Sequence, residues 1–430
     1  MRAMLIPFIN RFLHWAVVGL VSPILVLMIM SKGVGVEMVG VAMAALSVSV
    51  VLLELPSGVL SDTIGRRRVY LVSIGLAVAA YALMIAAGSL AGVTVALSLY
   101  GVSRAFSSGS IEALYVDDYI AERGKDSLHS LVAAMSAGEI LGLAAGALAG
   151  GFIPSLWRRL APLSSPYNGN VAAQIALLCV LFAMTVATSR DGAAFRAGKA
   201  AGAGDPGRVP ERGASSGSRL KGIIRESIGA IRGNRIIAGM LAGAVFWGFS
   251  FSAIEVYWQP RLREVLAGTD ADWLFGVVNS AYFAAALAGN AIIGLVARKF
   301  RLDSSLAIIG ALRIATGCAI VALAFQGAVP GFSALFLTVM CCNGMMSIPE
   351  SAAFNAAIPG SARASLLSLA SLSVQVGGIA SSLAFSAVLR FAPVSAAWII
   401  AGGLLLGSSL IYFGVGGRAS GVKSRALRAS

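Results

Sequence analysis

Long apolar runs separated by short polar stretches set the plan of this chain. Crossing a hydrocarbon core takes about 20 apolar residues in helical form, and about twelve runs reach that length. Six fall near 12–31, 37–60, 69–90, 92–116, 131–153 and 171–189, and six more near 236–258, 273–297, 303–325, 330–349, 366–389 and 395–416. Lipid offers no partner to backbone N–H and C=O groups, so a spanning segment must satisfy its own. The runs lack the two-residue alternation of a membrane barrel. The predicted fold class is therefore all-α integral membrane, with 12 transmembrane helices in two six-helix bundles.

Composition agrees. Charged residues make up 12% of the chain and hydrophobic residues 58%, whereas a soluble domain carries about 25% charged residues. The 50 glycines suit helices that approach closely in lipid. A net charge of +14 would suggest a nucleic-acid partner in a soluble protein. Here the basic residues gather between spans and do not interleave with aromatics, so no nucleic acid is expected. They read instead as topology, because Lys and Arg concentrate on the cytoplasmic side. With the N-terminus inside, Lys32, Arg158, Arg159, Arg261, Arg263 and Arg390 fall outside, while Arg104 and Arg313 lie mid-span. The expected location is the cell's inner membrane, multi-pass, with both termini cytoplasmic. The four cysteines sit inside apolar runs, which argues against a disulfide framework or a metal site. No cofactor is implied, and the chain is expected to act as a monomer in the lipid bilayer.

The polar segment 190–235 divides the chain into an N-terminal bundle, 1–189, and a C-terminal bundle, 236–416, followed by a basic cytoplasmic tail, 417–430. Its first part is small, polar and basic and reads as a flexible cytoplasmic linker. Near 219–232, Leu220, Ile223, Ile224, Ile228 and Ile231 recur at helical spacing between basic residues. That pattern predicts an amphipathic helix on the inner leaflet. Laying Glu112 on Glu350 also lays Asp117 on Asn355, Lys125 on Arg363 and Ser127 on Ser365. This faint repeat suits two related halves.

Between the second and third spans the chain reads GVLSDTIGRRR, from Gly58 to Arg68. Gly58 and Gly65 allow a tight turn, and Asp62 favours a helix N-terminus. Arg66 and Arg67 can fork onto a carboxylate, and Asp117 and Asp118 end span four on the same side. The spacing resembles the loop signature G-x-L-x-D-x-x-G-R-R of the major facilitator superfamily. The resemblance implies the major facilitator fold, transport by alternating access, and a cytoplasmic gate built from Gly58, Asp62, Gly65, Arg66, Arg67, Asp117 and Asp118. The plainer alternative is that the basic loop only orients insertion.

Span five carries Gly138, Gly142, Gly146, Gly150 and Gly151 on one small-residue face, which permits close packing or a bend. The order resembles the antiporter signature G-x-x-x-G-P-x-x-G-G of the 12-helix proton-coupled drug exporters, with Ala147 in place of the proline. In span four, Arg104 and Glu112 lie about two turns apart, separated by roughly 12 Å at about 1.5 Å rise per residue. Intramembrane charges face a polar cavity or a partner. Too far apart to pair directly, Arg104 and Glu112 are separate candidates. Arg104 falls where this superfamily carries an arginine linked to proton coupling, with a structural bond to backbone carbonyls as the alternative. Glu112 is the first choice of proton carrier, because span four lines the cavity in that family. Glu54, Glu139 and Glu255 are rival proton carriers. Trp15 and Trp247 could stack on an amphipathic or cationic substrate, and Asn343 could add a polar contact. Arg313, mid-span nine, has no partner that the sequence names.

These features point to a secondary transporter of small molecules that uses protons or another coupling ion. Proton-coupled efflux of drugs or amphipathic metabolites leads, and uptake by symport is the alternative. A membrane-embedded enzyme would need a reactive cluster near one interface, and the chain has two His residues. A receptor of the same architecture is the remaining class. The orientation predicts that an Arg68→Cys variant is labelled by an impermeant thiol reagent from the cytoplasmic side alone. Labelling from outside intact cells would contradict it.

Overall fold

A computed structural model describes residues 2–124, 128–189, 228–269, 271–300 and 306–429. Among the described residues, twelve helices are long and apolar enough to cross a membrane. The chain groups into two compact units, Met1–Glu211 with Thr269–Ser280, and Arg212–Gly268 with Ala281–Ser430.

The first unit contains α1 (Arg2–Val21), α2 (Leu25–Met30), α3 (Val36–Ile64), α4 (Arg66–Ala86), α5 (Leu90–Ser107), α6 (Ser110–Arg123), α7 (Leu128–Leu160) and α8 (Asn168–Thr188). Helix α1 packs on α7 and α8, α3 and α4 pack on α5, and α4 packs on α8. The later helices are α9 (Arg235–Val265), α10 (Asp272–Phe300), α11 (Leu306–Ala324), α12 (Val329–Ala357), α13 (Arg363–Val388) and α14 (Val394–Ala429). Helix α9 packs on α13 and α14, and α11 packs on α12 and α14. The same pairing recurs in each half: first span on fifth and sixth, third span on sixth. Helix α10 opens in the stretch Thr269–Ser280, which groups with the first unit. There Gly276 lies against Gly151, and fully buried Asp272 pairs with Arg158.

Lipid gives helices little hydrophobic reason to associate, so close packing of small residues does that work. Gly138, Gly142, Gly146 and Gly150 of α7 lie against the backbone of Phe8, Phe12, Ala16 and Leu20 of α1, and a Cβ on any of them would strike those carbonyl oxygens. In the second unit, Gly248 and Gly377 bring α9 and α13 together in the same way. Four of the span-five glycines thus form a packed seam, and Gly151, expected on the same face, meets Gly276 instead.

Several elements depart from the sequence pattern. The first apolar run, expected at 12–31, is cut by Pro23, which lacks the N–H needed to continue the ladder. The spanning part is Met4–Val21, so Arg11 lies inside the first span and not at its cytoplasmic end. The Gly58–Arg68 segment is not a loop: α3 runs on to Ile64 and α4 starts at Arg66. Gly65 turns the chain alone with φ +104°, a conformation open to glycine. Gly58 is helical with open space around it and takes no part in the turn. Span four is broken, because α5 ends at Ser107 and α6 begins at Ser110. Gly109 between them has φ +69°. Residues 219–227 of the expected amphipathic helix lie outside the described residues, as does the linker 190–218. Residues 228–233 are helical, and Ile231 packs against Ile237, Met240 and their neighbours in the second unit's core. The backbone of the expected tail continues α14 as far as Ala429.

The seam predicts that Gly142→Ala lowers stability by about 1–3 kcal/mol through overpacking, seen as a lower thermal midpoint of the purified protein. Gly75→Ala meets nothing within 4 Å and leaves the midpoint unchanged or raises it. Equal effects would refute the seam.

Candidate functional site

The first unit holds an open cavity of about 290 Å³ walled by α1, α4, α5 and α6, with Leu178 of α8. Helical spacing aims its lining. Helix α1 contributes Arg11, His14, Trp15 and Val18, and α4 contributes Ala77 and Tyr81 one turn apart. Tyr100, Ser103, Arg104 and Ser107 come from α5. The break between α5 and α6 exposes Ser108 and Gly109 to the same space, and Glu112 follows in the first turn of α6.

Charge on this wall is unevenly matched. Arg11 donates to Glu139 of α7 at 2.7 Å and lies 3.8 Å from Glu112. Its guanidinium also sits 5.7 Å from the Trp15 ring centroid, within cation–π range. Glu112 is half exposed, at 51%. Arg104 stands exposed on the wall, and among the described residues no carboxylate lies within ion-pairing reach of it. From the cavity wall a polar chain runs from His14 Nδ1 to the Tyr70 hydroxyl at 3.1 Å, on to Asn10 at 3.3 Å, and from Asn10 to Thr185 at 3.1 Å.

The second unit solves the problem of Arg313. This fully buried guanidinium donates to the Gly243 carbonyl at 2.9 Å, the Ser408 hydroxyl at 3.1 Å and Glu350 at 2.9 Å. It lies 4.6 Å from the Tyr412 ring centroid. Glu350 is 29% exposed, so the pair has one dry end and one end open to its surroundings.

At the α3–α4 corner, Arg66 donates to Asp117 of α6, and Arg67 donates to the Val186 carbonyl of α8 at 3.0 Å. Exposed pairs of this kind contribute about 0–1 kcal/mol, so the contact orients the corner more than it stabilises the unit. The side chain of Asp62 lies outside the described residues.

A family model described as Major Facilitator Superfamily matches residues 8–382. The chain belongs to that superfamily. It is a multi-pass membrane protein and a transporter of the secondary kind, not an enzyme. Among solved structures it is similar to the nucleoside transporter NupG, with TM-score 0.75 at 12% identity, covering 96% of this chain and 99% of that one. It is also similar to a bacterial homolog of the human lysosomal transporter Spinster, with TM-score 0.73, 13% identity and 96% of each chain covered. An auto-inhibited peptide transporter of the POT family gives TM-score 0.70, 13% identity and 97% of each chain covered. At these identities the likeness concerns the fold. A sequence comparison with curated proteins found no match.

Of the residues named from the sequence, Trp15, Arg104 and Glu112 line one facilitator-unit cavity. Trp247 belongs to the second unit, where it stacks on Phe251 at 4.8 Å and lies 6.0 Å from Arg313. Asn343 is half-buried on α12 and makes no hydrogen bond among the described residues. Tyr257 and Trp258, on the same span as Trp247, are buried within protein. Glu255 accepts from Tyr282 at 3.0 Å, and Glu139 is committed to Arg11. Arg11 is the cavity residue that sequence reasoning missed. Its signal was a lone arginine between two apolar stretches, which the 12–31 window pushed into a loop.

Removing the acid beside a buried guanidinium strands its charge. Glu350→Ala is expected to lower stability by about 3–5 kcal/mol, measured by thermal unfolding in detergent. The Arg313→Met/Glu350→Leu double variant should lose less than either single change. A neutral Glu350→Ala would contradict this account of Arg313.

Proposed function

We propose that this transporter moves small amphipathic molecules by alternating access coupled to protons, with export of drugs or metabolites as the leading direction. The supporting observation is a half-exposed carboxylate, Glu112, on the wall of a cavity within a membrane-spanning unit, close to Arg11 and beside the space that Arg104 faces. Ionised Glu112 shares Arg11 with Glu139. A proton on Glu112 ends that sharing, leaves Arg11 to Glu139 and changes the charge that cargo meets. Trp15 supplies a ring face for cargo in the first unit; within the second unit, taken by itself, Trp247 and Asn343 are the residues proposed to meet cargo. Gly58, Asp62, Gly65, Arg66, Arg67, Asp117 and Asp118 serve as the cytoplasmic gate. The span-five glycine face, whose order resembles that of exporters, keeps α1 and α7 moving as one piece. The protein works as a monomer in the inner membrane with both termini in the cytoplasm.

One observation favours the second direction, uptake by symport. Arg11 and Arg104 stand against Glu112 and Glu139, so a proton on Glu112 leaves one positive charge over, and an anionic cargo and the proton would be held together. The directions part on an uncoupler. In expressing cells it should raise the level of an exported compound and lower that of an imported one.

For either direction, Glu112→Gln and Asp62→Asn should abolish growth resistance or accumulation across a compound panel while protein levels in the membrane stay the same. Full activity in Glu112→Gln would remove Glu112 from the coupling role.

A further inference from the structure

We infer that the first-unit cavity takes an organic anion, a carboxylate or similar oxyanion joined to a small flat apolar body. This rests on the reading that the cavity carries cargo, in either direction, and names the chemical class of that cargo.

Arg11, Arg104 and Glu112 are the charged residues of the lining. Arg11 already has Glu139 at 2.7 Å and Glu112 at 3.8 Å. Arg104 has no acid among the described residues. Glu139 answers the charge of Arg11, so the lining is left with Arg104 and a half-exposed Glu112, and Arg104 is the guanidinium with no acid within ion-pairing reach among the described residues. An arginine within a membrane span is expected to have a partner or a polar cavity. Arg104 has the cavity alone.

The chemistry of the unmatched group selects the ligand. A guanidinium presents a planar fork that fits two carboxylate or phosphate-type oxygens at once. A cationic ligand would be repelled by Arg104, and a neutral one would leave its charge unanswered. Hydrogen bonding shows the same surplus of donors: Trp15 Nε1 and Arg11 Nε are buried without an acceptor. The remaining walls suit a flat apolar body. Trp15 stands on one side, and the Tyr81 and Tyr100 rings lie with centroids 5.2 Å apart. A volume of about 290 Å³ is at the small end of ligand pockets, which run from about 300 to 1,000 Å³. That space accommodates an aromatic acid of modest size.

The test uses the full-length protein in detergent and three probes with one body: 1-naphthoate, 1-naphthalenemethanol and 1-naphthylmethylamine. Calorimetry should find naphthoate bound at least tenfold more tightly than the alcohol or the amine. Arg104→Gln should weaken naphthoate at least tenfold, and Arg104→Lys should recover part of that loss. Arg390→Ala, which removes one exposed positive charge elsewhere, should change nothing. Equal or tighter binding of the amine or alcohol would overturn the inference, as would unchanged naphthoate affinity in Arg104→Gln. Failure of all three probes to bind, in a protein that moves another solute into liposomes, would also overturn it while sparing the transport reading. Naphthoate binding that depends on Arg104, in a protein that moves no solute at all, would support the anion site and remove the transport role.

Discussion

A guanidinium cannot stand bare in hydrocarbon; it must be given oxygens, a ring face or water. Arg11, Arg104 and Arg313 lie well inside their spans, and each meets this demand differently. Arg313 is enclosed by protein alone, with a carbonyl, a hydroxyl, a carboxylate and a ring around it, and only its Nε is left without an acceptor. Arg11 is held by two carboxylates and Trp15. Arg104 is left to a cavity. The first arrangement ties helices together, the second fixes the charge of one wall, and the third leaves a group free to act on something that arrives.

The glycine seam makes the second arrangement possible. Arg11 lies between Phe8 and Phe12, whose carbonyls touch Gly138 and Gly142. Glu139 follows Gly138 on the same helix. Without a Cβ at those positions, α1 and α7 come close enough for Arg11 to reach Glu139 at 2.7 Å. A small-residue face that could be taken for packing alone therefore also sets the electrostatics of the cavity. The αL residue Gly109 has a comparable effect, because the break it creates opens the wall between Arg104 and Glu112.

Much of the architecture was legible because hydropathy is a strong signal over twenty residues. The twelve spans and the two related halves followed from apolar runs and a dividing polar segment. The family could be recognised from one corner, where Asp62, Gly65, Arg66 and Arg67 keep a distinctive spacing. What escaped were features that a window average hides. Pro23 sits inside an apolar run, so the first span looked as if it ran on to Ser31, and Arg11 was displaced into a loop. Gly65 turns the chain unaided, so the expected loop is a single residue. Arg313 found its partner on the next span, at Glu350, which only three-dimensional packing could bring within reach.

The central claim is that Arg104 faces water while Arg313 is enclosed by protein. Cysteine accessibility tests it most directly, in a background where the four native cysteines are replaced by serine. Ser107→Cys, beside Arg104 on the cavity wall, should react with a charged water-soluble thiol reagent. Ser408→Cys, beside Arg313 in the second unit, should stay unreactive until the protein is unfolded. An unreactive Ser107→Cys together with a reactive Ser408→Cys would contradict the account.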